Sequence, residues 1–396
     1  MTPRPATADP PGGLLLAQPD GRLPDGRVPG PSADDHAPVG GAPDARRTRR
    51  VLVAVAAVVA VLGVVLVGVV VTVQQRVGEA VEWLDDPFLA LPSRPPAAGA
   101  AGEQAPDPAA GSAAVAATGA PLTVLILGSD SRISAGDPDQ WAYGAQRTDA
   151  IMLAQLSGDR ENLTVMSLPR DSWVEVPGHG PAKLNAAFSW GGPTLMIQTV
   201  EQLTGVRVDH FAVADFESFS RLTDTLGGVE LTLPEGLDTR GQVYPPGTHV
   251  LDGEAALAYT RERYGLPGGD FDRVQRQQNW LRAIVESAVD KNVLANPVRT
   301  AGLVTVVAES LAVDGGLGVD QMRAIALDLN GMEREDVLFV TAPHLGTGWS
   351  PDGTQSIVRL DDARLAEVSR AFAEDRVAEL LKARPDLATV LGEEVR

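Results

Sequence analysis

The chain has 396 residues, no cysteine and a formal net charge of -19. The missing cysteines exclude a disulfide framework, a thiolate metal site and a cysteine nucleophile, and the acidic balance argues against a general nucleic-acid binder, which shows a basic face. Length alone would allow two domains. Of the 30 prolines 16, and of the 41 glycines 11, lie in Met1 to Pro43 and Leu91 to Pro121, which are also nearly empty of aromatics, so one folded domain with disordered or linker segments before it is expected.

Between those segments runs VLVAVAAVVAVLGVVLVGVVVTV, Val51 to Val73, with no charge in it. A run able to cross about 30 Å of hydrocarbon reads as a transmembrane helix. A cleaved signal peptide is the rival, but the charged lead-in is long and no A-x-A site closes the apolar run. RRTRR, Arg46 to Arg50, stands immediately before it, and Glu79, Glu82, Asp85 and Asp86 follow soon after. Positive charge stays inside, so a single-pass anchor in the cell membrane is expected, with a cytoplasmic tail (1–45) and an extracytoplasmic remainder. A solvated or nucleic-acid-binding patch is the plainer reading of an arginine run, but its position flush against the span favours topology.

From Leu122 short apolar runs alternate with longer amphipathic segments. LTVLILGSD (122–130), TDAIMLAQL (148–156) and NLTVMSL (162–168) read as strands, PTLMIQTVEQLTG (193–205) as a helix and HFAVADF (210–216) as a further strand. ESFSRLTDTLGG (217–228) reads as a helix, GGVELTL (227–233) as a strand, and DGEAALAYTRER (252–263) and DRVQRQQNWLRAIVESAVDK (272–291) as helices. Helices at Pro297 to Leu311, Asp320 to Leu329 and Asp361 to Ala373, a late strand DVLFVTAP (336–343) and a helical tail over 376–396 complete the pattern. This order implies an α/β fold, a three-layer α/β/α domain with a mixed central sheet over 122–375, preceded by a linker over 74–121. Leu195, Ile197, Val200 and Leu203 read most simply as core, although a lipid-binding cleft has the same pattern.

In an open α/β sheet, ligands collect at the carboxyl ends of strands. LILGSDSR brings Asp130 and Arg132 there, GAQRTDAIML places Arg147 and Asp149 just before a strand, and VMSLPRDSW places Arg170 and Asp171 just after one. Each alone has a bland role as a turn cap, a strand cap or a surface pair. RERYGLPGGDFDRVQRQQ, 261–278, changes the balance. Arg261 and Arg263 face the same way if the chain is extended there, GLPGGD breaks the helix, and Asp270 or Asp272 can cap the next one. Inside that helix Arg273 and Gln277 share a face. A helix start beside converging guanidinium groups suits a phosphate or pyrophosphate, and Asp130 and Asp149 then suit Mg²⁺, which takes one or two carboxylates and completes its shell with phosphate oxygens and water. The sequence has no G-x-x-x-x-G-K-[ST] loop and no G-x-S-x-G elbow, and His36, His179, His210, His249 and His344 show no paired metal spacing.

LILGSDSR, RTDAIML, SLPRDSWVEVPGHGPAKLNAAFSWGG, VDHFAVADFESFSRLTDTLGGVEL, HVLDGEAALAYTRERY and GGDFDRVQRQQ resemble, in order and spacing, the LytR-CpsA-Psr family of membrane-anchored cell-wall enzymes. The resemblance implies a Mg²⁺-dependent phosphotransferase outside the membrane. Such a protein moves an anionic glycopolymer from a polyprenyl-pyrophosphate carrier to peptidoglycan, leaving a phosphodiester and releasing polyprenyl phosphate. The family's arginines match Arg147, Arg170, Arg261, Arg263 and Arg273, with Gln277, and are expected on the pyrophosphate. Lys183 and Asn185 in KLNAAF match a further motif, expected at the rim of the head-group site, and the family's metal-binding aspartates match Asp130 and Asp149. Asp171 or Asp270 would serve as a general base or simply orient an arginine. The family's lipid lies in a hydrophobic tunnel between sheet and helices, which favours the cleft reading of Leu195, Ile197 and Val200. Expected partners are the lipid-linked donor, the peptidoglycan acceptor and the membrane, with no nucleic acid. The Ala, Val, Gly and Arg bias resembles high-GC actinobacterial proteins, where the donor would be an arabinogalactan-like or teichoic polymer. Two alternatives remain open: a hydrolase of lipid pyrophosphates using the same site, and a lipid-phosphate-binding regulator, against which the cytoplasmic tail offers no DNA-binding pattern.

Overall fold

The computed structural model describes residues 82–84, 86–97, 119–129, 148–239, 242–262, 270–290, 297–308, 311–329, 332–392 and 395, all within one compact unit, Val64–Arg396. The expected span Val51 to Val73 and its arginine run lie outside these residues, as do Asp130, Arg132, Arg147 and Arg263 and the side chains of Asp149 and Asp270. No helix among the described residues is long and apolar enough to cross a membrane.

In chain order the strands β1 (Glu82–Leu84), β2 (Leu122–Ser129), β3 (Thr148–Leu156) and β4 (Leu163–Ser167) precede a hairpin of β5 (Trp173–Val176) and β6 (Gly180–Lys183). Helix α1 (Leu184–Thr204), strand β7 (His210–Asp215), helix α2 (Phe216–Thr225) and the short strands β8 (Val229–Leu233), β9 (Leu237–Thr239), β10 (Gln242–Tyr244) and β11 (Gly247–Leu251) follow. Helices α3 (Gly253–Arg261), α4 (Asp270–Asp290) and α5 (Pro297–Ala308) lead to β12 (Leu311–Asp314), α6 (Val319–Leu329) and β13 (Val337–Thr341). A second hairpin, β14 (His344–Trp349) with β15 (Ser356–Leu360), precedes α7 (Asp362–Ala373), α8 (Val377–Ala383) and β16 (Thr389–Val390).

Eight strands form the central sheet in the order β1-β12-β7-β2-β3-β4-β13-β16. The sheet is mixed: β2 runs parallel to β7 and antiparallel to β3, and β4 runs parallel to β13. Its strands are apolar on both sides because helices cover both faces. Leu125, Leu127, Ile151, Leu153 and Phe211 pack against α1, α7 and α8. The alternate residues Val124, Ile126, Ala154 and Ala212 look the other way, towards α2, α4, α5 and α6. A second core joins α3 and α4 to β8 and β11 around Tyr259 and Trp280.

The structure corrects several expectations. Leu195, Ile197 and Val200 are core residues of the filled face and line no cleft; periodicity shows which side of a helix is apolar, not whether the space opposite is filled. The expected helix from Pro193 starts at Leu184 and breaks at Gly191 and Gly192, the latter with φ 60° and ψ -152°. Pro193 opens the second half, where its missing N–H has no partner to lose. Leu311 begins β12, antiparallel to β7, instead of ending a helix. The end of the chain is helical only in part, since Thr389 and Val390 pair with β13 and Leu387 joins the main core.

Residues 86–97, part of the expected linker, are packed down. Arg94 Nη2 donates to Glu201 Oε1 at 2.8 Å and to Val208 O, its guanidinium lies 4.5 Å from the centre of the Phe88 ring, and Thr194 Oγ1 donates to Pro87 O. Composition does not reveal such a tie, because the partner lies over a hundred residues away.

Candidate functional site

The sheet register assembles one polar edge. Ser129, last in β2, pairs with Thr148, first in β3, and with Asp215, last in β7. Ser167, last in β4, pairs with Met152 of β3 and Thr341, last in β13. Ser129, Thr148 and the chain leaving β4 towards Arg170 therefore meet at one edge, where open α/β sheets take their ligands. Between β2 and β3 the ladder slips: Gly128 pairs with Ala150 and Ser129 with Thr148, leaving Asp149 as the extra residue of a bulge. Bulges of this kind recur beside active sites because they re-aim a side chain.

After β4 the chain turns through Arg170 and Asp171. Asn185 N donates to Arg170 O at 3.0 Å and Leu184 N to Ser172 O at 2.8 Å, which ties this turn to the start of α1. Asp171 sits between two cations: Lys183 Nζ is 3.0 Å from its Oδ1, and Arg170 Nε is 3.8 Å from its Oδ2. Lys183 and Asn185, expected at a rim, thus stand beside Arg170.

Arg261 is the exposed last residue of α3. Arg273 and Gln277 are buried one turn apart on α4, on one face as their spacing requires. Gln278 secures this helix to the sheet, its Nε2 donating to Val340 O of β13 at 2.8 Å. Gln277 lines a small recess with Gly128, Ala150 and Met152, which brings α4 against the bulged end of β2 and β3.

Arg276 carries a role the sequence reading missed. It is buried, its Nη1 donates to Tyr259 O (3.1 Å) and Glu262 Oε2 (2.8 Å), and its guanidinium lies 4.7 Å from the Tyr259 ring centre. Arg276 therefore fixes the end of α3, and with it Arg261, to α4. Burial raises the Tyr259 pKa, opposed by the hydrogen bond from Asn279 and by Arg276. The available signal was an arginine inside the apolar face of VQRQQNWL, which must be partnered when buried.

Three buried oxygens here, Thr148 Oγ1, Ser172 Oγ and Gln277 Oε1, lack a hydrogen-bond partner among the described residues. Buried polar atoms left unpaired are rare and costly, and a polar ligand, an ion or water can satisfy them. Asp130, Asp149 and Thr148, close in sequence to the bulged ends of β2 and β3, carry oxygen donors of the kind that Mg²⁺ takes.

An apolar cavity of about 330 Å³ adjoins this edge, between the sheet and α2, α4, α5 and α6. Its walls include Val124, Ile126, Ala154, Leu281, Val304 and Met322. The recess beside Gln277 shares Ile126, Phe219 and Leu281 with it, so the cavity and the recess lie on either side of the same side chains.

The LytR_cpsA_psr family model matches residues 98–373. The chain belongs to the LytR-CpsA-Psr family. It is 37% identical over 221 residues to the probable cell wall biosynthesis protein LcpB of Corynebacterium glutamicum, covering 52% of this chain and 51% of that protein. It is 32% identical over 254 residues to TagU of Enterococcus faecalis, a polyisoprenyl-teichoic acid–peptidoglycan teichoic acid transferase, covering 63% of this chain and 78% of TagU. The crystal structure of Bacillus subtilis TagV shares the fold, with a TM-score of 0.52 at 23% identity over 65% of this chain and 97% of that one. The chain thus spans about half the length of LcpB. Of the family motif residues, Arg170, Lys183, Asn185, Arg261, Arg273 and Gln277 lie among the described side chains, and β1 with the Arg94 tie precedes the matched region.

Proposed function

We propose that this protein is a Mg²⁺-dependent phosphotransferase that moves an anionic glycopolymer from a polyprenyl-pyrophosphate carrier onto peptidoglycan. An acceptor sugar hydroxyl attacks the phosphorus nearer the glycan, a new P–O–C bond forms, the P–O–P bond breaks, and polyprenyl phosphate leaves with the electron pair. The observation that carries this reading is a polar sheet edge, with Arg170 in the turn after β4 and Gln277 in a recess that shares walls with the apolar cavity, which matches the two halves of a lipid pyrophosphate. The teichoic acid transferase named among its relatives supports the same reaction class.

In this reading Arg170, Arg261 and Arg273, together with Arg147 and Arg263, grip the pyrophosphate oxygens and stabilise charge as the bond to the leaving group lengthens. Gln277, Lys183 and Asn185 complete the head-group contacts. Asp171, already held between Arg170 and Lys183, orients both, and Asp270 at the start of α4 is the candidate to receive the hydroxyl proton. Mg²⁺ held by Asp130 and Asp149 would neutralise phosphate charge as a Lewis acid. The chain is anchored by Val51 to Val73 in the cell membrane, with the catalytic domain outside, where donor and acceptor meet.

The test supplies the full chain with a polyprenyl-pyrophosphoryl oligosaccharide, a peptidoglycan fragment and Mg²⁺, and follows products by mass spectrometry. The expected product is a phosphodiester-linked glycan, abolished by EDTA and reduced about 100-fold or more in Arg261→Ala, the scale for removing one charge-stabilising donor. Free glycan phosphate formed without acceptor would establish a hydrolase instead, and tight lipid binding without product would establish a regulator.

A further inference from the structure

Beyond the lipid site, the hairpin of β14 and β15 has no role in the chemistry above, yet it grows directly out of the polar edge. β14 follows β13 after Ala342 and Pro343, and Val358 N of β15 donates to Asp171 O at 2.9 Å, beside Arg170. Ile357, Val358 and Leu360 are buried, so the ribbon is seated firmly on the domain.

Its first strand behaves differently. Leu345, Thr347 and Trp349 are exposed in alternation with the half-buried His344, Gly346 and Gly348. Trp349 leaves 68% of its surface in water and Leu345 60%. An indole held out in this way signals a contact surface when neighbours extend it. The hairpin end is braced: Ser350 N donates to Gln355 O, Gly353 N to Ser350 O, and Asp352 accepts from Thr354 N and Thr354 Oγ1. Trp349 thus stands on a preorganised support, which lowers the ordering cost of binding. Gly348 lets a cation approach, since a Cβ there would lie 3.1 Å from Arg359 Nε.

We propose that this hairpin is the acceptor subsite, with Trp349 as the stacking platform for a pyranose ring of the acceptor glycan. The assignment rests on the transferase reading, which requires an acceptor hydroxyl at the edge that Arg170 borders. Sugar rings present flat C–H faces that stack on indole, and the Thr347 hydroxyl, two residues away on the same face of the strand, suits a polar glycan. The tip, Pro351 to Gln355, is exposed, polar and carries Asp352, whereas a membrane-inserting hairpin would carry its apolar residues at the tip.

The experiment titrates the full chain with a tetrasaccharide of alternating N-acetylglucosamine and N-acetylmuramic acid by calorimetry, without donor, and in parallel measures acceptor KM and kcat in the transfer assay. Trp349→Ala is expected to weaken tetrasaccharide binding about tenfold, the effect of one lost stacking contact, and to raise acceptor KM similarly with kcat within about twofold. Trp349→Phe should retain most of the affinity, and lipid-pyrophosphate binding should be unchanged in both. Glycan binding that depends on Trp349 in a protein showing no transfer would keep the subsite and remove the transferase reading. A wild-type chain that does not bind the tetrasaccharide, or a Trp349→Ala chain that binds it equally, overturns the proposal. A variant that loses only its affinity for phosphatidylglycerol vesicles would also overturn it and assign the hairpin to the membrane.

Discussion

The two faces of the central sheet are made by the same strands, residue by residue in alternation, and yet one is filled and the other is hollow. Towards α1, α7 and α8 the side chains of Leu125, Ile151, Met196 and Phe372 are all buried in one continuous core. Towards α2, α4, α5 and α6 the equally apolar Val124, Ile126 and Ala154 line a space of about 330 Å³. At about 24 cal/mol per Å³, such a space sealed and empty would cost on the order of 8 kcal/mol, comparable to the whole stability of a typical domain. Burial on one face therefore buys stability, and on the proposed reading a lipid tail would fill the hollow of the other.

Large-to-small substitution sharpens the contrast most. Ile197→Ala on the filled face should lower unfolding free energy by about 2–5 kcal/mol, the range for a fully buried aliphatic side chain, as read from urea denaturation followed by circular dichroism. The same experiment on Ile325→Ala in the cavity wall should cost clearly less in the absence of lipid, since part of that side chain already faces open space. Equal losses would mean that the two faces are packed alike.

A smaller effect comes from Asp209, where the far edge of the sheet begins. It is half-buried and accepts Thr123 N at 2.9 Å, and its partial burial raises its pKa against that hydrogen bond and the nearby His210, Arg207 and Arg94. A raised folded value favours the neutral acid, so its contribution is complete below the ordinary carboxylate range and declines as pH rises through the folded value. Asp209→Asn should remove that decline, and the stability difference between wild type and variant, followed by urea denaturation from pH 4 upward, should change in the variant's favour. An unchanged difference over that range would show that Asp209 ionises as it does in the unfolded chain.

The sequence made one face legible and hid the other for a physical reason. LTVLIL and AIMLAQL are apolar at consecutive positions, which announces a strand covered on both sides but carries no information on how well each cover fits. The helix break within 261–278 was readable, since α3 ends at Arg261 and α4 begins at Asp270 on either side of GLPGG, and cations clustered about such a break have few structural uses. Its neighbour Arg276 was not separable from them, because the difference lies in what it touches, the Tyr259 carbonyl and Glu262. The β14–β15 hairpin went unread because HLGTGW is interrupted by glycine and SIVRL is only five residues long, so neither reaches the length at which alternation stands out.

The most direct test of the central claim, that the hollow face holds the lipid tail while the polar edge holds its pyrophosphate, is titration of the full chain with undecaprenyl pyrophosphate. Wild type is compared with Ala326→Phe, which places a ring in the cavity, and Arg273→Ala, which removes a cation from the edge. The account predicts that each variant binds at least tenfold more weakly, with Ala326→Phe at least as resistant to urea as wild type. Undiminished binding by a folded Ala326→Phe protein would contradict it.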